Sequence, residues 1–261
     1  MLSGYQLAFA LGAEIMVKID GDNQMDPTYL PSLIEPLIEM KADYTKGNRF
    51  LHAKELQRMP LIRRIGNWGL SFLTKLSSGY WNIFDPTNGY TAISAEVAAM
   101  LPLDRISERY FFESDMLFRL GTFRAVVRDV PMDARYADEV SNLRIGKVWP
   151  EFLGKHLRNF AKRLFYNYFL RDVSAASLEL VAGIGLLLFG VAYGGWHWWL
   201  SVSTGQVAAT GVIMLAAMPV LIGLQLLPAF LSHDIASVPR ITLGNGPSAE
   251  MPTHVANGRH S

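Results

Sequence analysis

Short apolar blocks separated by polar turns fill the first 148 residues, and this pattern predicts an α/β sheet. We predict short strands over residues 13–19, 42–50, 90–94 and 123–131; the first is an apolar run, and the second leads to Gly47-Asn48-Arg49. Apolar residues at helical spacing predict helices over residues 2–12, 28–40, 58–79, 95–101 and 109–120. Strands and helices therefore alternate along a single domain, residues 1–148.

The pattern changes completely after this domain. From Leu180 to Ser232 the sequence contains no Asp, Glu, Lys or Arg. A polar break at residues 201–206 divides this stretch into two apolar runs, each of about 20 residues, the length that crosses a bilayer as a helix. Two buried core helices are the alternative, but core helices of this length rarely lack a charged face. We therefore predict a transmembrane hairpin over residues 178–232.

The flanks of the hairpin predict its orientation. Lys and Arg are frequent in residues 151–172, whereas the loop between the two runs contains neither. The positive-inside rule then places the N-terminal domain and the C-terminus in the cytoplasm. Trp196, Trp198 and Trp199 fall at the outer end of the first run, where tryptophan favours the headgroup level. The expected protein is an integral membrane protein with two spans.

Residues 149–172 predict a basic amphipathic helix beside the hairpin. One interpretation is that its apolar stripe lies in the membrane interface, with the basic residues on anionic headgroups. The alternative is that it packs on the preceding domain. The final residues, 244–261, are small, polar and rich in Pro and Gly, which predicts a disordered tail.

Composition excludes several kinds of chemistry. The net charge is +1, which gives no general argument for binding nucleic acid. The absence of cysteine excludes disulfides and thiolate metal sites, so any metal ligand must be an oxygen or an imidazole. No signal peptide is visible at the N-terminus.

The segment VKIDGDNQMDP, residues 17–27, gathers three carboxylates directly after a predicted strand. Asp20 and Asp22 stand where ligands bind in open α/β sheets, beyond the carboxyl end of a strand. Two carboxylates separated by one residue can hold a hard divalent cation, and Gln24 adds a neutral oxygen. The alternative is a solvated turn, since Asp-x-Asp alone is a weak signal.

Several segments together resemble family 2 glycosyltransferases of the GT-A fold, in the branch of dolichyl-phosphate mannose synthases. VKIDGDNQMDP resembles their Asp-x-Asp-x-Gln-x-x-Pro segment. Four further segments agree in order with that family: KGNRF (46–50), FDPTNGYTAIS (84–94), RYFFESDMLFRL (109–120) and VPMDARYADEVSNL (130–143). GLQLLPAFLSHDI (223–235) is similar to the last membrane helix of members with a C-terminal hairpin. The resemblance covers about residues 1–240.

This resemblance implies a set of site residues. It assigns Asp20, Asp22 and Gln24 to a divalent metal, Mg or Mn, and to the diphosphate of the donor. Arg49 would bind phosphate, and Arg135 with Ser141 would close over the acceptor phosphate or the leaving diphosphate. The weaker candidates for phosphate binding are Arg63 and Arg64, for which a plain surface position is an equal alternative.

Glu113 and Asp115 occupy the place where relatives with sugar acceptors carry a general base. A lipid phosphate is already anionic near pH 7 and needs little deprotonation. The resemblance therefore implies that Asp115 orients the sugar or the acceptor and that Glu113 contributes to substrate binding. The structural alternative for Asp115 is an acid that interacts with a helix N-terminus.

The implied activity is inverting transfer of a sugar from a GDP- or UDP-linked donor to polyprenyl phosphate at the cytoplasmic membrane face. Processive polysaccharide synthases carry a Gln-x-x-Arg-Trp motif after the acidic helix. This motif is absent here, which argues for transfer of single sugars and against polymer extension. A homo-oligomer is compatible with this expectation. A metal-dependent phosphotransferase is a further alternative, but the sequence contains neither a P-loop nor a positioned His.

The resemblance begins late, because about one helix precedes the metal motif where family members carry further βα units. We therefore expect a partial GT-A domain whose N-terminal part is missing. On this view the alternative to an enzyme is a truncated, non-catalytic membrane remnant or a partner of a complete paralogue.

Overall fold

The structure is a computed structural model that describes residues 2–21, 25–50, 61–108, 111–133 and 145–245. The chain divides into two compact units. The first unit comprises residues 1–161 and 238–261, and the second comprises residues 162–237.

The first unit is built on a four-stranded mixed sheet. Its strands are β1 (Ile15–Lys18), β2 (Tyr44–Asn48), β3 (Thr91–Ser94) and β4 (Val127–Pro131). Their spatial order is β1-β3-β2-β4. β3 pairs antiparallel with both β1 and β2, whereas β2 pairs parallel with β4. The three strands β1, β2 and β4 therefore run in one direction, and their carboxyl ends lie at one edge of the sheet.

Helices cover the sheet and join its strands. The helices of the first unit are α1 (Leu2–Ala10), α2 (Leu30–Ile38), α3 (Leu61–Ser78), α4 (Ala95–Met100), α5 (Phe112–Phe123) and most of α6 (Ile145–Phe165). The prediction of an α/β domain is confirmed, and each predicted strand is present within four residues of its predicted ends.

Two apolar clusters pack against the sheet. The larger joins α1, β1, β3 and α5 through residues such as Tyr5, Met16, Ile93 and Met116. The smaller places Leu33 and Leu37 of α2 against Tyr90, Ala92 and Val130. The heptad-like spacing of apolar residues in α2 explains the second contact, because Leu33 and Leu37 lie on one helical face.

The middle of α6 attaches to the domain through buried polar contacts. The His156 ring, 1% exposed, has Nδ1 2.9 Å from the hydroxyl of Ser77 in α3 and meets Phe111 edge-on at 4.9 Å. Asn159 donates to the carboxylate of Asp115 in α5 at 3.0 Å. Leu157, by contrast, is 54% exposed. His156 and Asn159 therefore face the domain, whereas Arg158 is exposed.

Burial of His156 predicts a pH-dependent stability. Desolvation lowers the pKa of this imidazole to about 4. As the pH falls from about 6.5 to 4, the unfolded chain gains a proton that the folded protein does not bind, so stability decreases by up to about 3 kcal/mol. Thermal unfolding in detergent measures this effect. We expect the free energy of unfolding of wild type, relative to that of His156→Gln, to fall by about 3 kcal/mol between pH 7 and 4. A difference that does not change with pH would contradict this account.

The second unit contains a π-helix (Tyr166–Arg171) and two long helices, α7 (Ala175–Thr204) and α8 (Thr210–Ala236). Both α7 and α8 are long and apolar enough to cross a membrane. Glycines let them approach closely: a Cβ added to Gly190 would lie 2.7 Å from the Ala216 carbonyl oxygen, and one added to Gly223 would lie 2.8 Å from that of Gly183.

A buried ion pair joins the two ends of this unit. Arg163 donates two hydrogen bonds to the Asp234 carboxylate, at 2.7 and 3.0 Å, and both side chains are 2% exposed. The Tyr168 hydroxyl donates to the same carboxylate at 2.6 Å. Three donors on one buried carboxylate compensate for its loss of solvent and fix the end of α6 against the end of α8.

Candidate functional site

The sheet edge where β1, β2 and β4 end gathers the motifs that the sequence singles out. Asp20 follows β1 by two residues, Arg49 follows β2 directly, and Asp133 follows β4 by two residues. The turn Asp85–Gly89 enters this edge from the opposite direction, because β3 is antiparallel to its neighbours. This edge of the sheet therefore brings together the Asp20 carboxylate, the Arg49 guanidinium and the turn that ends at Gly89.

The Asp20 carboxylate is held on two sides. Its Oδ1 lies 2.9 Å from the Lys18 ammonium, and a Cβ built on Gly89 would lie 1.9 Å from its Oδ2. The side chain is 41% exposed. Gly89 is therefore the residue type that leaves room for this carboxylate, which remains accessible to a ligand from solvent.

Asp26, the third acid of the motif, has a different position. Its carboxylate accepts a hydrogen bond of 3.0 Å from the backbone N–H of Thr28 and caps a 3-10 helix, Pro27–Tyr29. Asp26 thus belongs to the turn, and its role differs from that of Asp20.

Arg49 is fixed by a buried carboxylate that sequence reasoning did not single out. Its Nε donates to Asp85 Oδ2 at 2.8 Å and its Nη2 donates to Oδ1 at 3.2 Å. The Asp85 side chain has no exposed surface, while that of Arg49 is 25% exposed. The two parallel hydrogen bonds orient the guanidinium plane at the edge of the sheet.

Glu113 and Asp115 share the first turn of α5 but have different surroundings. Glu113 accepts a hydrogen bond of 2.7 Å from Lys18, which ties it to the Asp20 cluster. Asp115 is 1% exposed, and both its oxygens accept hydrogen bonds, from the Ser107 N–H, Arg119 and Asn159. The structure thus brings Glu113 to Asp20, whereas the hydrogen bonds of Asp115 join α5 to the preceding segment and to α6.

A row of four polar side chains, three of them charged, crosses the sheet beneath this edge. Lys18, Thr91, Lys46 and Asp129 are register partners on four adjacent strands. Lys46 has no exposed surface and donates to the carbonyl of Asn88. Burial lowers its pKa to about 8, although the charges of Glu113 and Asp85 oppose this shift. Charged residues inside short apolar strands were the sequence signal that could have identified this row.

Asp129 lies at the β4 end of this row. Its Oδ2 accepts hydrogen bonds from Asn48 at 2.6 Å and from the Phe84 N–H at 2.9 Å. Burial raises its pKa to about 6, even though these donors and Lys46 favour the ionised form. The hydrogen bonds connect the end of β2 with the segment that leads into the Asp85 turn.

Several predicted site residues lie outside the described part of the chain. These are Asp22, Gln24, Arg135 and Ser141, together with the side chains of Arg63 and Arg64. The described chain nevertheless reaches the segment that contains Arg135: the Tyr29 hydroxyl donates to Asp133 at 2.9 Å and accepts from its N–H at 3.1 Å. Within the described residues, no group of three or more His, Asp or Glu side chains is arranged to hold a metal ion.

Two relatives found by comparison with known proteins are named as enzymes that glycosylate polyprenyl phosphates. The chain is 32% identical over 137 residues to UDP-N-acetylglucosamine--dolichyl-phosphate N-acetylglucosaminyltransferase from Methanococcus voltae, which covers 52% of this chain and 54% of that protein. It is 29% identical over 132 residues to undecaprenyl-phosphate mannosyltransferase from Micrococcus luteus, covering 50% of this chain and 53% of that one. The resemblance drawn from the motifs is therefore confirmed.

The extent of these similarities is limited. The chain spans about half the length of the curated relatives that it matches. No protein-family model matches it. Among solved structures, glucosyl-3-phosphoglycerate synthase from Mycobacterium tuberculosis aligns with 61% of this chain and 52% of its own at 16% identity, with a TM-score of 0.42, which is too low to establish a shared fold.

Proposed function

We propose that this protein is a metal-dependent, inverting glycosyltransferase that moves a sugar from a nucleotide sugar to polyprenyl phosphate. The observation that carries the proposal is the meeting of Asp20, Arg49 and Glu113 at one sheet edge. These side chains can serve a divalent cation, a diphosphate and an acceptor respectively. The names of both relatives include a polyprenyl phosphate acceptor, and this agreement supports the same acceptor class here.

The proposed metal ligands are Asp20, Asp22 and Gln24. Their oxygens are the donors that Mg²⁺ and Mn²⁺ favour, and Gly89 leaves the space that the Asp20 carboxylate occupies. The residues present therefore fit a hard divalent cation. When bound, such a cation neutralises the negative charge that develops on a departing diphosphate.

The phosphate groups would be bound by arginines. Arg49 suits this role because Asp85 fixes its guanidinium while a quarter of its side chain remains exposed. Arg135 and Ser141 would close over the other side of the substrates. The attachment of Asp133 to Tyr29 supports this, because it holds the chain two residues before Arg135 next to the segment that follows the acidic motif.

In the proposed reaction an oxygen of the lipid phosphate attacks the anomeric carbon of the sugar. The new carbon–oxygen bond forms as the bond from that carbon to the nucleoside diphosphate breaks, and the configuration inverts. Because the attacking phosphate is already an anion near pH 7, no side chain has to remove a proton from it. Glu113 then orients the sugar or the acceptor, and the Arg residues hold the two phosphate groups in line.

A membrane location follows from the acceptor. We propose that α7 and α8 span the bilayer, with the catalytic unit and the C-terminus in the cytoplasm. Lys155, Arg158, Lys162 and Arg163 precede the first span, and no Lys or Arg lies between the spans. Trp196, Trp198 and Trp199 are all more than half exposed near the far end of α7, as side chains at a headgroup level would be. In the proposed orientation the catalytic unit faces the cytoplasm, the side where nucleotide sugars are made.

The direct test is to incubate membranes that contain this protein with polyprenyl phosphate and a panel of UDP- and GDP-linked sugars, with Mg²⁺, Mn²⁺ or EDTA. We expect one donor to give a polyprenyl-phosphate sugar, identified by mass spectrometry, and EDTA to remove the product. Wild type is compared with Asp22→Ala, which should give none. Absence of product with every donor would favour the non-catalytic alternative, and equal product from wild type and Asp22→Ala would overturn the metal assignment.

A further inference from the structure

Lys18 contributes a positive charge to the acidic site that the motif resemblance does not assign. It is the last residue of β1, and its side chain is 9% exposed. Its ammonium lies 2.9 Å from Asp20 Oδ1, 2.7 Å from Glu113 Oε1 and 3.3 Å from the Gly89 carbonyl oxygen. Three acceptors from three separate segments therefore converge on one nitrogen.

The charges of Asp20 and Glu113 explain how an apolar strand can accommodate the buried Lys18 ammonium. Burying an ammonium is costly unless it is paired, and here two carboxylates compensate for that cost. The same ammonium also separates Asp20 from Glu113, whose negative charges would otherwise repel each other. Lys46, one strand beyond β3 on the same row of the sheet, adds a second buried positive charge near Glu113.

The contacts also fix the direction of the Asp20 carboxylate. One of its oxygens is bonded to Lys18, and the other lies against Gly89. A carboxylate held from both sides has little freedom to rotate, so its exposed surface is presented in one orientation. Its position is also coupled to Glu113 in α5 through the shared ammonium.

We propose that Lys18 is a positioning residue that aligns Asp20 with Glu113 and, by its charge, weakens the binding of the divalent cation at Asp20. The inference rests on the proposed function, in which Asp20 is a metal ligand. A unit positive charge on one oxygen of a ligand carboxylate repels a divalent cation brought to the same group. The site would then bind the divalent cation weakly enough for the cation to exchange with the solution.

The test measures Mn²⁺ binding without any substrate. Mn²⁺ is titrated into the detergent-solubilised full chain, and free Mn²⁺ is followed by electron paramagnetic resonance. We expect Lys18→Met to bind Mn²⁺ about tenfold more tightly than wild type, because the repelling charge is gone. Lys18→Arg keeps the charge and should remain within about twofold of wild type. Lys41→Met, which removes an exposed lysine, is the matched control for loss of a charge elsewhere.

Sugar transfer by the same variants separates positioning from a general structural effect. At saturating Mn²⁺ we expect kcat of Lys18→Met to fall at least tenfold, since Asp20 and Glu113 are no longer aligned. Tighter metal binding together with slower turnover is the expected signature, whereas a variant that is merely damaged would lose both.

Glu113→Gln gives an independent result if Lys18→Met does not fold. It removes one of the two negative charges that compensate Lys18, so Mn²⁺ should bind more weakly than in wild type. Unchanged or weaker Mn²⁺ binding by folded Lys18→Met would overturn the inference and leave the proposed function intact. If wild type itself binds no Mn²⁺, the metal assignment fails, and the role of Lys18 fails with it.

Discussion

Replacing Asp20 by alanine should abolish sugar transfer, whereas replacing Asp26 by alanine should preserve it. Asp20 lies at the sheet edge, with 41% of its side chain exposed and its carboxylate held by Lys18. In the proposed function Asp20 is a metal ligand, and its loss would remove charge stabilisation worth several kcal/mol from the transition state, so we expect kcat/KM to fall by about 10³-fold or more. The measurement is the initial rate of glycolipid formation at several Mn²⁺ concentrations.

Asp26 provides a control of the same residue type in the same segment. Its carboxylate caps a 3-10 helix, so Asp26→Ala should cost about 1 kcal/mol of stability and little activity. The two variants carry the same chemical change six residues apart. Similar losses of transfer from both variants would mean that each disturbs the local structure of the segment. Asp20 would then have no specific role in transfer.

A methyl group at position 89 should have an almost equally large effect on transfer. In Gly89→Ala the new Cβ would lie 1.9 Å from Asp20 Oδ2 and 2.7 Å from the Lys18 ammonium, so these side chains must move. Both contacts are with the ends of side chains, which can shift without disturbing the backbone. We therefore expect a folded protein in which kcat/KM falls at least about 100-fold, because a displacement of about 1 Å at a reacting centre can cost that much.

Gly66→Ala is the control for this substitution. Gly66 lies in α3, and within the described part of the chain a Cβ added there meets no atom within 4 Å beyond its chain neighbours and the backbone of its own helix. The change should leave transfer at the wild-type rate and raise stability slightly, since alanine favours a helix more than glycine does. Thermal unfolding of both variants shows whether they are folded. Wild-type transfer by Gly89→Ala would show that the position of the Asp20 carboxylate is unimportant.

The clearest strand signal in the sequence is a short apolar run with a polar end. Residues 13–19 illustrate this: the run leads into Asp20-Gly21-Asp22, and the structure has β1 over Ile15–Lys18. The antiparallel direction of β3 could not be predicted in this way. Strand direction depends on how distant segments pair, and the local pattern of Thr91–Ser94 is the same for either direction.

The site was only partly predictable for a similar reason. Asp20 and Arg49 follow strands directly, so their positions at the sheet edge could be anticipated. The partner of Arg49 is Asp85, 36 residues away in the sequence, and the partner of Lys18 is Glu113, 95 residues away. Such pairs are fixed by the tertiary fold, and no local spacing reveals them.

The segment 149–172 shows how an amphipathic pattern can leave two interpretations open. Its apolar residues recur at helical spacing, which is equally typical of a helix at a membrane surface and of one packed on a protein. In the structure, the contacts between the middle of α6 and the domain are made by polar residues. His156 and Asn159 find partners in α3 and α5, and those partners are not adjacent to α6 in the sequence.

The most direct test of the central claim is anomalous diffraction at the manganese edge, from crystals of the protein grown with Mn²⁺ and the donor identified by the transfer assay. The account predicts one strong peak within bonding distance of the Asp20 and Asp22 carboxylates, beside the diphosphate and on the same sheet edge as Arg49. A diphosphate bound elsewhere, or Asp20 and Asp22 turned into solvent with no peak between them, would contradict it.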